Sequence, residues 1–278
     1  MICAWKSLLS ILPGWMVPEV DKLGREDLQE LRLRLGQPPQ LILKHNRMEL
    51  QRKLSADDLN FCVNVASRYS PWAAATAAKG YLTGPGGHRI GLCGEAVLRG
   101  GKVEGIKNLT SLNIRVARDF PGISRGIPTQ DSLLILGAPG WGKTTLLRDL
   151  IRKRAGDNQQ VAVVDERGEL FPSENFISGS GVDILTGCGK GEGISMLLRT
   201  MGPQCIAVDE ITQENDCVAL LEASGCGVDL LATAHGSGLE DLKRRPIYRK
   251  LMDAGVFDRI VVLQRDKSWR LERMHICI

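Results

Sequence analysis

Charged and apolar residues alternate through Gln29-Glu-Leu-Arg-Leu-Arg-Leu35, and a period of two predicts a strand with one face buried. Gly36-Gln-Pro-Pro39 then forces a turn, with residues 40–44 as the hairpin partner. Ahead of them, residues 1–30 join an apolar start to an amphipathic helical pattern. Ser55-Ala-Asp-Asp58 is spelled as a helix start, a capping serine followed by acids in the first turn. That helix is expected to run towards Tyr69 with Leu59, Cys62, Val63 and Ala66 on one face, and the alanine-rich residues 71–79 are expected to be helical. Short antiparallel strands are expected at 81–83, 88–97, 103–106 and 111–117, parted by glycine-rich turns at 84–87 and 99–102. Residues 120–130, with Pro121, Gly122, Gly126 and Pro128, read as a linker. A smaller α+β domain over 1–125 is therefore expected to precede a second domain over 126–278.

From Asp131 the rhythm changes. Uninterrupted apolar runs at 133–136, 161–165, 206–209, 229–233 and 259–263 predict strands covered on both faces. The glycine-rich stretch 179–193 reads as a loop, followed by a helix through Met196 to Met201. Strands alternating with helices predict an α/β fold with a mostly parallel sheet.

The first of these strands runs into Gly137-Ala-Pro-Gly-Trp-Gly-Lys-Thr-Thr145. This matches the phosphate-binding spacing G-x-x-x-x-G-K-[ST] between a strand and a helix. Gly137, Gly140 and Gly142 permit backbone angles that turn several N–H groups towards one phosphate, and the helix opening near Gly142 adds its N-terminal dipole. Ala138, Pro139, Trp141 and Thr145 complete the cradle, Lys143 suits the β- and γ-phosphates, and the Thr144 hydroxyl suits Mg²⁺. A nucleoside triphosphate is the expected ligand.

Two later strands end in paired acids. The run before Asp209-Glu210 has the form in which the aspartate serves the Mg²⁺ shell and the glutamate polarises the attacking water. Asp165-Glu166 closes another strand, so Glu166 competes with Glu210 for the role of base. Leu230-Leu-Ala-Thr-Ala-His235 ends in Thr233 and His235, side chains suited to sensing a γ-phosphate or positioning water. Phosphoryl transfer gains from a guanidinium on the γ-phosphate, often a neighbouring subunit's. Arg89, Arg115 and Arg199 are candidates, the first two by preference.

Composition narrows the partners. A net charge of +4 is too mild to argue for nucleic acid. The eight cysteines form no C-x-x-C pair, which argues against zinc and for a reducing compartment. The apolar start is interrupted by Lys6, Pro13 and Gly14, too short a run to span a bilayer.

GAPGWGKTT, VVDERGE, LLRTMGPQCIAVDEI and LLATAHG together resemble the ATPases of type II and type IV secretion systems, which usually carry Gly-Glu where this chain has Asp209-Glu210. A more specific resemblance covers nearly the whole chain. LQELRLRLGQPPQLI (28–42), KGYLTGPGGHRIGLCGEAV (79–97), IKNLTSLNIRVARD (106–119), GKTTLLRDL (142–150), VVDERGE (163–169) and ATAHGSGLEDLKRRP (232–246) are similar to the stage III sporulation protein AA family. That resemblance implies a RecA-like P-loop ATPase domain behind a smaller α+β N-terminal domain, using ATP and Mg²⁺. It also implies a ring oligomer, a hexamer by similarity, in which the N-terminal domain packs on a neighbour's nucleotide site. The expected place is the mother-cell cytoplasm, peripheral at the outer forespore membrane, energising a membrane-embedded secretion-like channel, with no nucleic acid. Two other classes share the core motifs: a nucleic-acid-stimulated RecA-like motor, and a scaffold that binds ATP without hydrolysing it.

Overall fold

The alternation at the start of the chain builds a six-stranded antiparallel sheet in the computed structural model, which describes residues 1–67 and 77–274. Its strands are β1 (Leu28–Arg34), β2 (Gln40–Leu43), β3 (Arg47–Glu49), β4 (Tyr81–Thr83), β5 (Arg89–Arg99) and β6 (Lys102–Arg115), in the order β3-β2-β1-β6-β5-β4. Leu31 and Leu33 of β1 stand opposite Ile114 and Leu112 of β6, and all four are buried. They pack with Leu8 and Ile11 of α1 (Trp5–Ile11) and with Leu59, Cys62 and Ala66 of α4 (Ala56–Ser67). Two short helices, α2 (Val17–Asp21) and α3 (Gly24–Asp27), lie between α1 and β1. Ser55 caps the helix as expected, and Asp58 completes a capping box, the Asp58 amide donating to Ser55 Oγ at 3.2 Å and the Ser55 amide to Asp58 Oδ2 at 2.9 Å. The expected extension to Tyr69 and most of the expected helix over 71–79 lie outside the described residues.

Residues 103–106 and 111–117, expected as separate strands, belong largely to one strand, β6. The pairing of β5 with β6 slips between Cys93 and Glu95, where a Cβ on Gly94 would lie 2.6 Å from the Lys107 carbonyl. Only glycine tolerates that approach. The irregularity breaks the apolar pattern that a single strand would otherwise display.

His88, fully buried, joins distant parts of this unit: its Nε2 lies 3.0 Å from the Ala4 carbonyl and its Nδ1 accepts the Ala117 amide at 3.0 Å. Burial holds its pKa below the usual 6.5, so the folded unit keeps the ring neutral. In the unfolded chain the ring takes up a proton below about pH 6.5. The stabilising effect is therefore complete above that pH and is lost as pH falls below it. Urea unfolding at pH 7 and pH 5 is expected to show that loss, and His88→Gln to flatten it.

The second unit is a seven-stranded sheet of β7 (Leu133–Leu136), β8 (Val161–Asp165), β9 (Val182–Thr186), β10 (Cys205–Val208), β11 (Asp229–Ala234), β12 (Arg259–Leu263) and β13 (Trp269–Arg273). The order is β13-β12-β7-β11-β10-β8-β9, parallel throughout except for antiparallel β13. Alternate residues of each strand enter different cores. Leu133 and Ile135 meet Leu146, Leu147, Leu150 and Ile151 of α5 (Lys143–Gly156) on one face. Leu134 and Leu136 share the other core with Ile194 and Leu197 of α6 (Lys190–Thr200), Leu220 of α7 (Glu214–Gly225) and Leu251 of α9 (Pro246–Asp253), which follows α8 (Leu239–Arg244). This two-sided burial is what the uninterrupted apolar runs predict. The expected loop over 179–193 instead contains β9 and the start of α6, and β13 was not foreseen. Both are edge strands with mixed exposure, so neither carries a continuous apolar run.

The chain thus divides into Met1–Asp119 with Pro172–Phe176, and Phe120–Phe171 with Ile177–Ile278. Among the described residues, no helix is long and apolar enough to cross a membrane.

Candidate functional site

The loop 137–145 leaves the carboxyl end of β7 and enters α5, where no side chain caps the helix N-terminus. Its glycines act by different means. Gly140 (φ 76°) and Gly142 (φ 100°) occupy left-handed backbone. Gly137 does not; it sits in close packing, where a Cβ would lie 3.2 Å from Leu263 Cβ. Lys267, in the turn between β12 and β13, donates to the Gly140 carbonyl at 2.6 Å.

Lys143 is buried to 7% exposure, and that burial lowers its pKa against the opposing pull of Asp209 and Glu210. Its Nζ lies 3.3 Å from the Ala138 carbonyl and 3.1 Å from His235 Nδ1. An ammonium can only donate, so Nδ1 accepts and the proton of a neutral His235 sits on Nε2. Nε2 in turn lies 2.8 Å from Glu210 Oε1. Arg167 Nη1 donates to the other oxygen, Oε2, at 3.1 Å. Glu210 adopts left-handed backbone (φ 54°), uncommon for a side chain of its size, and its amide donates to Thr233 Oγ1 at 2.8 Å.

Asp209 accepts from the Thr144 hydroxyl at 2.7 Å and from the Thr233 hydroxyl at 2.6 Å. Thr144 and Asp209 thus offer adjacent hard oxygen donors, which fit Mg²⁺; that ion commonly takes one or two protein ligands, with phosphate and water completing its octahedron. Thr233, expected as a phosphate sensor, is fully buried and braces Asp209 and the Glu210 backbone from behind.

The acids after β8 diverge. Asp165 is buried and accepts the amides of Glu169 (2.8 Å) and Leu170 (2.9 Å). Burial pushes its pKa up to about 6, against the lowering effect of the Leu170 and Phe171 amides. Its two oxygens shape the turn that follows β8. Glu166 pairs with buried Lys190 at 2.7 Å, while Asp165, Glu166, Arg167, Lys190, Asp209 and Glu210 line one cleft. Arg167 stands inside VVDERGE and Lys190 in the glycine-rich stretch 179–193, and neither belongs to a motif that marks it for this site.

Arg89 and Arg115 are cross-strand neighbours in the N-terminal sheet. The Arg89 guanidinium sits 4.1 Å above the Tyr81 ring, and Arg115 Nε is 3.9 Å from Glu30. Arg199, near the end of α6, donates to the Ser195 carbonyl at 3.1 Å.

Known proteins share this arrangement of sheets. The family model for sporulation stage III, protein AA matches residues 11–271. The stage III sporulation protein AA of Bacillus subtilis (strain 168) is 36% identical over 282 residues, which cover 94% of this chain and 91% of that protein. An uncharacterized protein, ycf45, of Porphyra purpurea is 28% identical over 89% of this chain and 43% of its own length. Among solved structures, the Legionella pneumophila ATPase DotB superposes with a TM-score of 0.60 at 18% identity, covering 94% of this chain and 80% of that one. The pilus retraction motor PilT with bound ADP gives a TM-score of 0.58 at 16% identity, over 92% of this chain and 80% of that one. The chain therefore shares the fold of these two proteins, an antiparallel N-terminal sheet followed by a mostly parallel α/β domain.

Proposed function

The chain belongs to the family of sporulation stage III, protein AA, and from that premise we propose that it is a P-loop ATPase that energises a secretion-like export complex during endospore formation. One observation carries this reading. Lys143, His235 and Glu210 form a continuous polar chain, beside Thr144 paired with Asp209, all at the carboxyl ends of β7, β10 and β11. A phosphate cation, a metal-binding pair and a carboxylate base converge there, as triphosphate hydrolysis requires.

The roles follow from the chemistry. Lys143 and the amides of residues 137–145 bind the phosphates. Thr144 and Asp209 would hold Mg²⁺, which would supply positive charge against the phosphates. Glu210 accepts the proton lost by the attacking water, and His235 reads the γ-phosphate. Glu166, paired with Lys190, is the second candidate for the base. The N-terminal 125 residues serve assembly, with Arg89 or Arg115 completing a neighbour's site in a ring, a hexamer by analogy. The ring would lie in the mother-cell cytoplasm, peripherally at the outer forespore membrane, against membrane-embedded channel proteins.

Turnover per subunit is then expected to rise with protein concentration and with anionic liposomes, and to ignore DNA. Stimulation by DNA would favour a nucleic-acid motor, and a flat rate near zero a non-hydrolysing scaffold. Steady-state phosphate release across a dilution series makes the distinction.

A further inference from the structure

On the ATPase reading above, we propose that Arg167 is a catalytic arginine of its own subunit's site, exchanging the Glu210 carboxylate for the γ-phosphate and freeing the base as substrate is engaged. The turn that carries Arg167 is built for placement. Asp165 ties it from inside through the Glu169 and Leu170 amides, and the Gly168 amide closes it onto the Asp165 carbonyl at 3.1 Å. Gly168 supplies the left-handed residue that the turn needs, φ 64°. Buried Arg148 anchors the far end through the carbonyls of Leu170 and Glu169. The tip of this turn, Glu166-Arg167, is held at the carboxyl edge of β8, beside β10.

The two tip residues are bound differently. Glu166 is secured to a buried lysine, whereas Arg167, half-exposed, crosses to Glu210 Oε2 at 3.1 Å. With His235 on Oε1, both oxygens of Glu210 are engaged by nitrogen donors. Neither oxygen is therefore without a nitrogen donor where a water would have to approach. Lys143 meanwhile is engaged by His235 and the Ala138 carbonyl. The phosphate cation and the base are therefore linked through Lys143, His235, Glu210 and Arg167, with the guanidinium at the end.

A γ-phosphate drawing on Lys143 competes with the first link of that chain. It also offers a guanidinium a doubly charged, bidentate partner, stronger than a half-exposed carboxylate. Transfer of Arg167 to that phosphate places positive charge where phosphoryl transfer benefits from it and returns Oε2 of Glu210 to the attacking water, whose proton it then accepts. Unlike Arg89 and Arg115, proposed above for a neighbour's site, this arginine is supplied by the same chain.

The test uses the full-length chain with Arg167→Gln and Arg167→Lys, comparing affinity for a non-hydrolysable ATP analogue with that for ADP, alongside single-turnover hydrolysis of ATP. Arg167→Gln is expected to weaken the analogue about tenfold while leaving ADP unchanged, as for the loss of one charge-assisted contact. It is also expected to slow hydrolysis by about 100-fold or more, in line with the effect of arginines on phosphoryl transfer. Arg167→Lys, which keeps the charge without the fork, should fall between. Equal changes for the two nucleotides, or hydrolysis that is unchanged or faster, would overturn the proposal, a faster rate marking Arg167 as a restraint on Glu210 only. If the unaltered protein neither binds nor hydrolyses ATP, the ATPase reading fails and this one with it.

Discussion

Glu210→Gln is expected to abolish turnover, by about 10²–10⁴-fold for a lost general base, while ATP stays bound. The amide keeps the shape of the side chain and an oxygen for the His235 Nε2 proton, so the surrounding geometry survives. It cannot take a proton from water. Its NH₂ group also cannot accept from Arg167, so the contact now at 3.1 Å is lost. Filter binding of labelled ATP beside steady-state phosphate release separates the two effects. Undiminished turnover would move the base to Glu166, which would first have to leave Lys190, 2.7 Å away.

Lys143→Met is expected to remove nucleotide affinity by about 100-fold, near 3 kcal/mol, on the scale of a charge-assisted contact to phosphate. Its effect on folding runs the other way. Burial disfavours the charged form of Lys143 in the folded state more than Asp209 and Glu210 favour it. At neutral pH the ammonium is therefore held at a cost, a cost that methionine does not carry while filling similar space. Calorimetry is expected to give an unfolding midpoint equal to or above that of the unaltered protein, with no rise on adding Mg-ATP. A large drop in the midpoint without nucleotide would instead make Lys143 a structural residue.

Several elements were legible because their signal is local. Residues 137–145 are contiguous, so their spacing alone specifies a loop between strand and helix. The cap at Ser55 lies within one helical turn, and five strands of the second sheet are buried on both faces, which leaves an unbroken apolar run in each. Edge strands β9 and β13, exposed on one side, lack that run. The extra residues of β6 between Lys107 and Ser111, opposite Gly94 of β5, divided β6 into two expected strands for a related reason, since an irregular pairing interrupts the period on which the assignment depends.

By itself the sequence determined that this chain carries a phosphate loop, acids at the ends of two strands and a histidine at the end of a third, within an α/β domain preceded by an antiparallel one. Only the tertiary structure decided how those groups are shared out. The register of β8 against β10, with Val164 opposite Val208, brings Arg167 to Glu210 across 43 residues of chain. It turns Asp165 inward, commits Glu166 to Lys190 and sets Thr233 behind Asp209. The periodicity of a strand records which of its own faces is buried. Which strand lies beside it depends on the packing of the whole sheet, and the pairing of charged side chains at the strand ends follows from that packing.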